Sequence, residues 1–202
     1  MAEQEPTYKT IANPAEGLYK EKGSKFLAFA FPVGDEEDVK SQISELQKAH
    51  HGARHYCYAY RINPKDIYER ANDDGEPHHS AGTPILGQLQ SFSVINVLVV
   101  VVRYFGGTKL GVSGLVNAYR TAARKALEAA KIIEVEFTAS FVIEFEYPEM
   151  NDVMRLIKQY DAIIKHQNMD MSVKMELEIR EDKLLLIQLQ LTLLKSLKFR
   201  PL

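Results

Sequence analysis

The stretch Val97–Gly114, VLVVVVRYFGGTKLGVSG, reads as a buried strand running into a glycine-rich, lysine-bearing turn. Apolar residues run from Val97 to Val102 with no polar residue between them, the mark of a strand covered on both faces. A helix is expected from about Ser113 to Lys131, with Leu115, Val116, Tyr119, Ala123, Ala126, Leu127 and Ala130 on its apolar stripe. Between strand and helix, the pair Gly106-Gly107 permits positive φ and close backbone approach. Successive N–H groups in such a turn form an anion-binding nest, to which the start of the helix adds its positive end. Lys109 and Arg103 supply full charges, and phosphate is the natural guest. A tight turn that needs glycine for geometry alone fits the same residues equally well. Known phosphate motifs do not match: Leu110 follows Lys109 where a Walker motif needs Ser or Thr, and G-G-x-x-x-G-x-x-G is not the dinucleotide fingerprint.

Working outward, residues 1–17 are polar, carry Pro6 and Pro14, and are expected to form a flexible arm. Tyr19–Val33 contains FLAFAFPV, a strand; Asp35–His51 is a helix that Asp35 can cap; Tyr56–Ile62 is a strand. Residues 63–87 are rich in Asn, Asp, Gly and Pro and read mostly as loop, with some helix near Ser80–Gln90. The texture changes near Glu134. Glu136–Tyr147 alternates as a strand, Met150–Tyr160 is a helix, and Ala162–Gln167 and Met171–Ile179 are strands. Asp182–Leu197 reads as strand by alternation and as helix by its Leu, Lys and Gln content. The expected division is an arm over 1–17, a first domain over 18–134 and a second over 135–202.

Three clusters carry chemistry. In Asn72–Gly82, NDDGEPHHSAG, the carboxylates Asp73, Asp74 and Glu76 meet His78 and His79. These are metal-ligand types, but adjacent histidines on regular structure seldom reach one ion. An acidic turn whose Asp73 or Asp74 accepts backbone N–H bonds is the favoured reading, so no metal is expected. Arg54–Arg61, RHYCYAYR, alternates: His55, Cys57 and Ala59 face one way, Tyr56, Tyr58 and Tyr60 the other. A tyrosine face between two arginines can stack bases and contact phosphates, and it can equally cover a core. Cys57 is favoured as a small buried hydrophobe over a nucleophile. Arg120, Arg124 and Lys125 lie off the stripe of the long helix, a charged face of the kind that is usually just solvated and that, beside the glycine turn, also suits a nucleic-acid backbone.

Composition sets the bounds. The 202 residues are 46% hydrophobic and 26% charged, enough for a core, and the net charge of −2 excludes a global polycation. One cysteine excludes an internal disulfide and points to the reducing cytoplasm. The N-terminal residues do not read as a secretory signal, and no apolar run spans a bilayer, so no membrane partner is expected.

RYFGGTKLGVSGLVNAYRTAARKAL, DDGEP with the following AGTPIL, and the upstream GSKF and RHYCYAY together resemble the IMPACT family, bacterial branch, in order over Tyr19–Ile133. The resemblance implies an α+β chain of two domains. The first is of the kind shared by a small-subunit ribosomal protein and domain IV of elongation factor G; the second is a smaller ferredoxin-like domain similar to domain V of that factor. Eukaryotic members are linked to regulation of translation initiation through protein partners. The family commonly has Ser-Gly-Thr-Ala-Gly after the DGEP, where this chain has His78-His79-Ser80-Ala81-Gly82, and Ser113 stands where many relatives carry Gly. The expectation is a non-enzymatic protein that binds RNA or the ribosome and modulates translation, with no cofactor and no catalytic residue. Arg54, His55, Tyr58, Arg103, Gly106, Gly107, Lys109 and Arg120 would hold the nucleic acid or anion, and Asp73, Asp74 and Glu76 would form an acidic loop of unassigned role. The alternatives are an enzyme or binding protein for a phosphorylated small molecule, and a protein–protein adaptor.

Overall fold

The computed structural model describes residues 7–202. The described chain divides into two compact units, Tyr8–Val135 and Glu136–Leu202 with Thr7, so that the end residues of β1 and β7 fall on the boundary. The first unit contains β1 (Thr7–Ile11), β2 (Ala15–Glu21), β3 (Ser24–Pro32), α1 (Glu36–Ala49), β4 (His55–Ile62), β5 (Tyr68–Asn72), α2 (Gly82–Ser91), β6 (Val97–Tyr104), α3 (Gly111–Ala129) and β7 (Ile132–Glu136). Five strands form an antiparallel sheet in the order β2-β3-β6-β4-β5, and β1 pairs with β7.

The central strand β6 explains its own composition. Val97 to Val102 are all fully buried, because helices cover both faces of the sheet. On one face, α2 and α3 pack on Phe26, Ala28, Ala30, Cys57, Ala59, Val97, Val99 and Val101. The small residues of that face meet Ala118, Ala122, Ala123 and Ala126 of α3, so helix and sheet approach closely. On the other face, Val39 and Leu46 of α1 pack with Tyr56, Tyr60, Ile62, Leu98, Val100 and Val102. Each large aliphatic side chain so buried stabilises the fold by about 1.5–3 kcal/mol. Asp35 caps α1 by accepting from the N–H groups of Glu37 and Asp38 at 2.8 and 2.9 Å.

Residues 7–17 correct the expectation of a flexible arm. Thr7–Ile11 form β1, with Ile11 buried, and β2 begins at Ala15. Pro14 lies between these strands rather than within one, where a missing N–H costs no ladder bond. The rest of the expected arm, residues 1–6, lies outside the described residues. The loop expected over 63–87 also contains β5, an edge strand of largely polar sequence.

The second unit runs β8 (Thr138–Phe145), a short 3-10 turn, α4 (Met150–Gln159), β9 (Ile163–Met169), β10 (Val173–Arg180), α5 (Glu181–Leu191) and β11 (Lys198–Pro201). Its antiparallel sheet has the order β11-β8-β10-β9. This βαββαβ arrangement is the ferredoxin-like fold. The ambiguous leucine-rich stretch is helix α5 as far as Leu191 and turn beyond it, because Ile187 and Leu191 fall at helical spacing into the core formed with Phe141, Ile143, Phe145, Met175 and Leu177. The protein is therefore an α+β chain of two units. No helix among the described residues is long and apolar enough to cross a membrane.

Candidate functional site

A cavity of ≈ 700 Å³ opens in the first unit where the end of β6, the start of β4 and the start of α3 converge. Arg54, His55 and Lys109 line it, with Glu76, Arg103, Phe105, Leu110, Val112 and Leu115. Phe105 and Val112 are more than half exposed, so the cavity has an open apolar lip beside its cations. Among the described residues no side chain caps the N-terminus of α3, and its first turn holds no acidic residue. Nineteen residues of helix thus present their positive end and free N–H groups at the cavity wall.

Beneath the cavity lies a buried polar chain. Arg103 Nη1 meets Glu76 Oε1 at 2.5 Å, with side chains only 8% and 4% exposed. The Tyr119 hydroxyl donates to the same Glu76 oxygen at 2.8 Å. Cys57 Sγ lies 3.4 Å from that hydroxyl and donates to the Asp73 carbonyl at 2.9 Å. Burial first, then the neighbouring Cys57 and Glu76, push the Tyr119 phenol well above its ordinary value. Burial likewise pushes the Cys57 thiol well up. A thiol so held is a core hydrogen-bonding group and not a nucleophile. The Arg103 guanidinium also sits against the rings of Phe26 and Phe105, 5.5 and 5.6 Å from their centroids. Its Nε is buried and has no hydrogen-bond partner among the described residues.

This geometry sorts the expected site residues. Arg54, His55 and Lys109 come together. His55 Nδ1 donates to the Asp74 carbonyl at 2.8 Å, which orients the ring and leaves Nε2 as the ring nitrogen available to a ligand. Arg103 lines the cavity but spends its charge on Glu76, so it is no free phosphate clamp. Tyr58 is on the opposite face of the sheet, half-buried and stacked on Tyr60 with centroids 6.3 Å apart. Arg120 is exposed on α3 and does not line the cavity.

Gly106 and Gly107 also stand apart from the cavity lining. A Cβ on Gly106 would sit 1.9 Å from Gly23 C, and its N–H is taken by Ser24 Oγ at 3.1 Å. Gly106 therefore serves close packing of β6 against the β2–β3 turn. Gly107 has φ +88 in open space and serves the turn. The apolar wall of Phe105, Leu110 and Val112 was missed by sequence reasoning, although the run from Phe105 to Leu115 alternates apolar residues with glycine and lysine.

Asp73 and Asp74 organise the acidic loop. Asp74 Oδ2 accepts the Tyr56 N–H at 2.6 Å. Asp73 accepts the N–H groups of His79, Ala81 and Gly82 at 2.8–3.0 Å and so caps α2. Burial opposes ionisation of Asp73, but these bonds outweigh it and hold the carboxyl below its ordinary value. Of the three acids, Glu76 alone lines the cavity.

The first unit matches the Impact N-terminal domain over residues 22–127, just over half of the chain. The chain belongs to the IMPACT family. An IMPACT family member of Haemophilus influenzae is 33% identical over 165 residues, covering 79% of this chain and 79% of that protein. Protein IMPACT of Oryctolagus cuniculus is 40% identical over 96 residues, 45% of this chain and 30% of that protein. A crystal structure of a hypothetical protein covers 98% of both chains at 26% identity with a TM-score of 0.75. The IMPACT pattern read from the sequence has Gly where this chain has His79, and the structure gives the reason: residue 79 has φ +61. A non-glycine residue adopts that conformation at a cost of about 1–2 kcal/mol.

Proposed function

We propose that this IMPACT family protein modulates translation by binding RNA, and that its first unit holds backbone phosphate at the cavity of Arg54, His55 and Lys109. The observation that carries the reading is the convergence of these three side chains with the uncapped start of α3 beside exposed Phe105. Phosphate matches both the cations and the free N–H groups. A nucleobase matches Phe105, since stacking of a base on an aromatic ring is worth about 1–3 kcal/mol. The family supports the setting, because the resemblance links its eukaryotic members to regulation of translation initiation.

Salt-titrated binding of ribosomal subunits or structured RNA tests this. Affinity falls as salt rises, and Arg54→Ala with Lys109→Ala lowers both the affinity and the salt slope, by about 1 for each phosphate contact removed. Binding indifferent to salt and to the double variant defeats the proposal.

A second reading, a phosphorylated small molecule, draws on the cavity volume of ≈ 700 Å³. Small-ligand sites span about 300–1,000 Å³. A thermal-shift screen with nucleotides discriminates: a ligand at a hundredfold excess over its Kd stabilises by about 2.7 kcal/mol. RNA binding with no shift from any mononucleotide favours the polymer.

A further inference from the structure

We propose that Asp73, His78 and His79 form a binding site for a divalent transition-metal ion of the zinc class, at the N-terminus of α2 and separate from the cavity. One donor atom from each residue lies within 4.8 Å of the others. On regular structure adjacent histidine side chains diverge. Residues 78 and 79 lie in no helix or strand, and the left-handed backbone of His79 turns the two rings onto each other, with centroids 3.8 Å apart and planes inclined by 34°.

Each donor is suited to its part. Asp73 is held in place by the N–H groups of His79, Ala81 and Gly82, so its carboxylate loses little side-chain freedom on binding. His79 Nδ1 lies 2.9 Å from Thr83 Oγ1, which orients the ring and leaves Nε2 to coordinate. A hydrogen-bonded oxygen on the far nitrogen is the usual support of a metal-bound histidine. His78 Nδ1 is 3.8 Å from Asp73 Oδ2, and the His78 side chain is 85% exposed. Zinc holds N and O ligands at about 2.0–2.2 Å, so neighbouring ligands stand about 3.4 Å apart. Rotation of the exposed His78 ring closes that difference. Two imidazoles select a borderline transition metal over magnesium or calcium. Solvent completes the coordination, since the site is open.

The test is calorimetric titration of the full, tag-free chain with Zn²⁺ at neutral pH, repeated with Ni²⁺ and Mg²⁺. One Zn²⁺ binds per chain with micromolar Kd, Ni²⁺ binds comparably, and Mg²⁺ does not. His78→Ala and His79→Gly each weaken Zn²⁺ binding by about tenfold or more, the scale on which metal sites respond to lost support. His79→Gly relieves the left-handed backbone, so its thermal midpoint without metal should stay near or above that of the wild type. His51→Ala, which alters another exposed histidine, leaves the titration unchanged. A Kd weaker than about 1 mM, or equal titrations for the wild type and the combined His78→Ala, His79→Gly variant, overturns the proposal.

Discussion

Replacing Glu76 by Gln removes one charge and little else, which makes it a sharp probe of the buried chain under the cavity. The amide oxygen can still accept the Tyr119 hydroxyl, now 2.8 Å from Glu76 Oε1. What it cannot do is neutralise Arg103, whose side chain is 8% exposed. Removing one partner of a buried ion pair costs about 3–5 kcal/mol, because the other charge is left uncompensated. Two aromatic rings within 5.6 Å of the guanidinium offset part of this, each by about 0.5–2 kcal/mol. The expected loss therefore lies at the lower end, about 3 kcal/mol, or about 6–12 °C in Tm for a chain of this size. Urea unfolding followed by tyrosine fluorescence measures it. The chain has no tryptophan, and of its 10 tyrosines only Tyr147 and Tyr160 fall in the second unit, so the signal follows the first. Glu76→Leu combined with Arg103→Met removes both charges and should recover most of the loss. A cost for Glu76→Gln below about 1 kcal/mol, or simple additivity of the Glu76→Leu and Arg103→Met effects, would refute the claim that the pair is coupled and dry.

Asp73→Ala removes the acceptor of the α2 cap and should cost about 1–2 kcal/mol at neutral pH. Because the folded carboxyl lies below its ordinary value, its contribution is complete above about pH 3.9 and is lost as pH falls through the lowered folded value. The gap between wild type and variant in urea midpoint should narrow in strong acid; a constant gap would show that ionisation is irrelevant to the cap. The two neighbouring glycines should respond in unequal ways. Gly106→Ala forces a Cβ to 1.9 Å from Gly23 C and should cost about 3 kcal/mol or prevent folding. Gly107→Ala meets open space and should cost about 1–2 kcal/mol, the left-handed φ alone, so equal stabilities in urea would contradict the packing argument.

Local patterns carried much of the fold. The unbroken Val97–Val102 run, the Asp35 cap and the alternation of Cys57 and Ala59 against Tyr56 and Tyr60 each report on an environment that a strand or helix imposes directly. β5 escaped because YERAN is polar and sits at an edge, where burial asks little of the side chains. α5 read two ways because Leu185, Leu186 and Leu189 are exposed and blur the helical spacing of Ile187 and Leu191. The site was legible in its cations and illegible in their partners. Nothing near Arg103 in the chain announces that Glu76, 27 residues earlier, consumes its charge. Gly106 looked like a phosphate nest because sequence shows a missing side chain and not the Gly23 backbone that fills its place.

The pairing of β1 with β7 has an architectural consequence. Strands that share a ladder run about 4.8 Å apart, and the Ala12 N–H donates to the Lys131 carbonyl at 2.9 Å, so the end of β1 meets the start of β7 and the chain enters and leaves this unit at neighbouring points. Termini held side by side make a unit portable, because it can be joined to other segments, or relinked end to end, without its interior being disturbed. The small sheet thus acts as a clasp on the two ends of this unit.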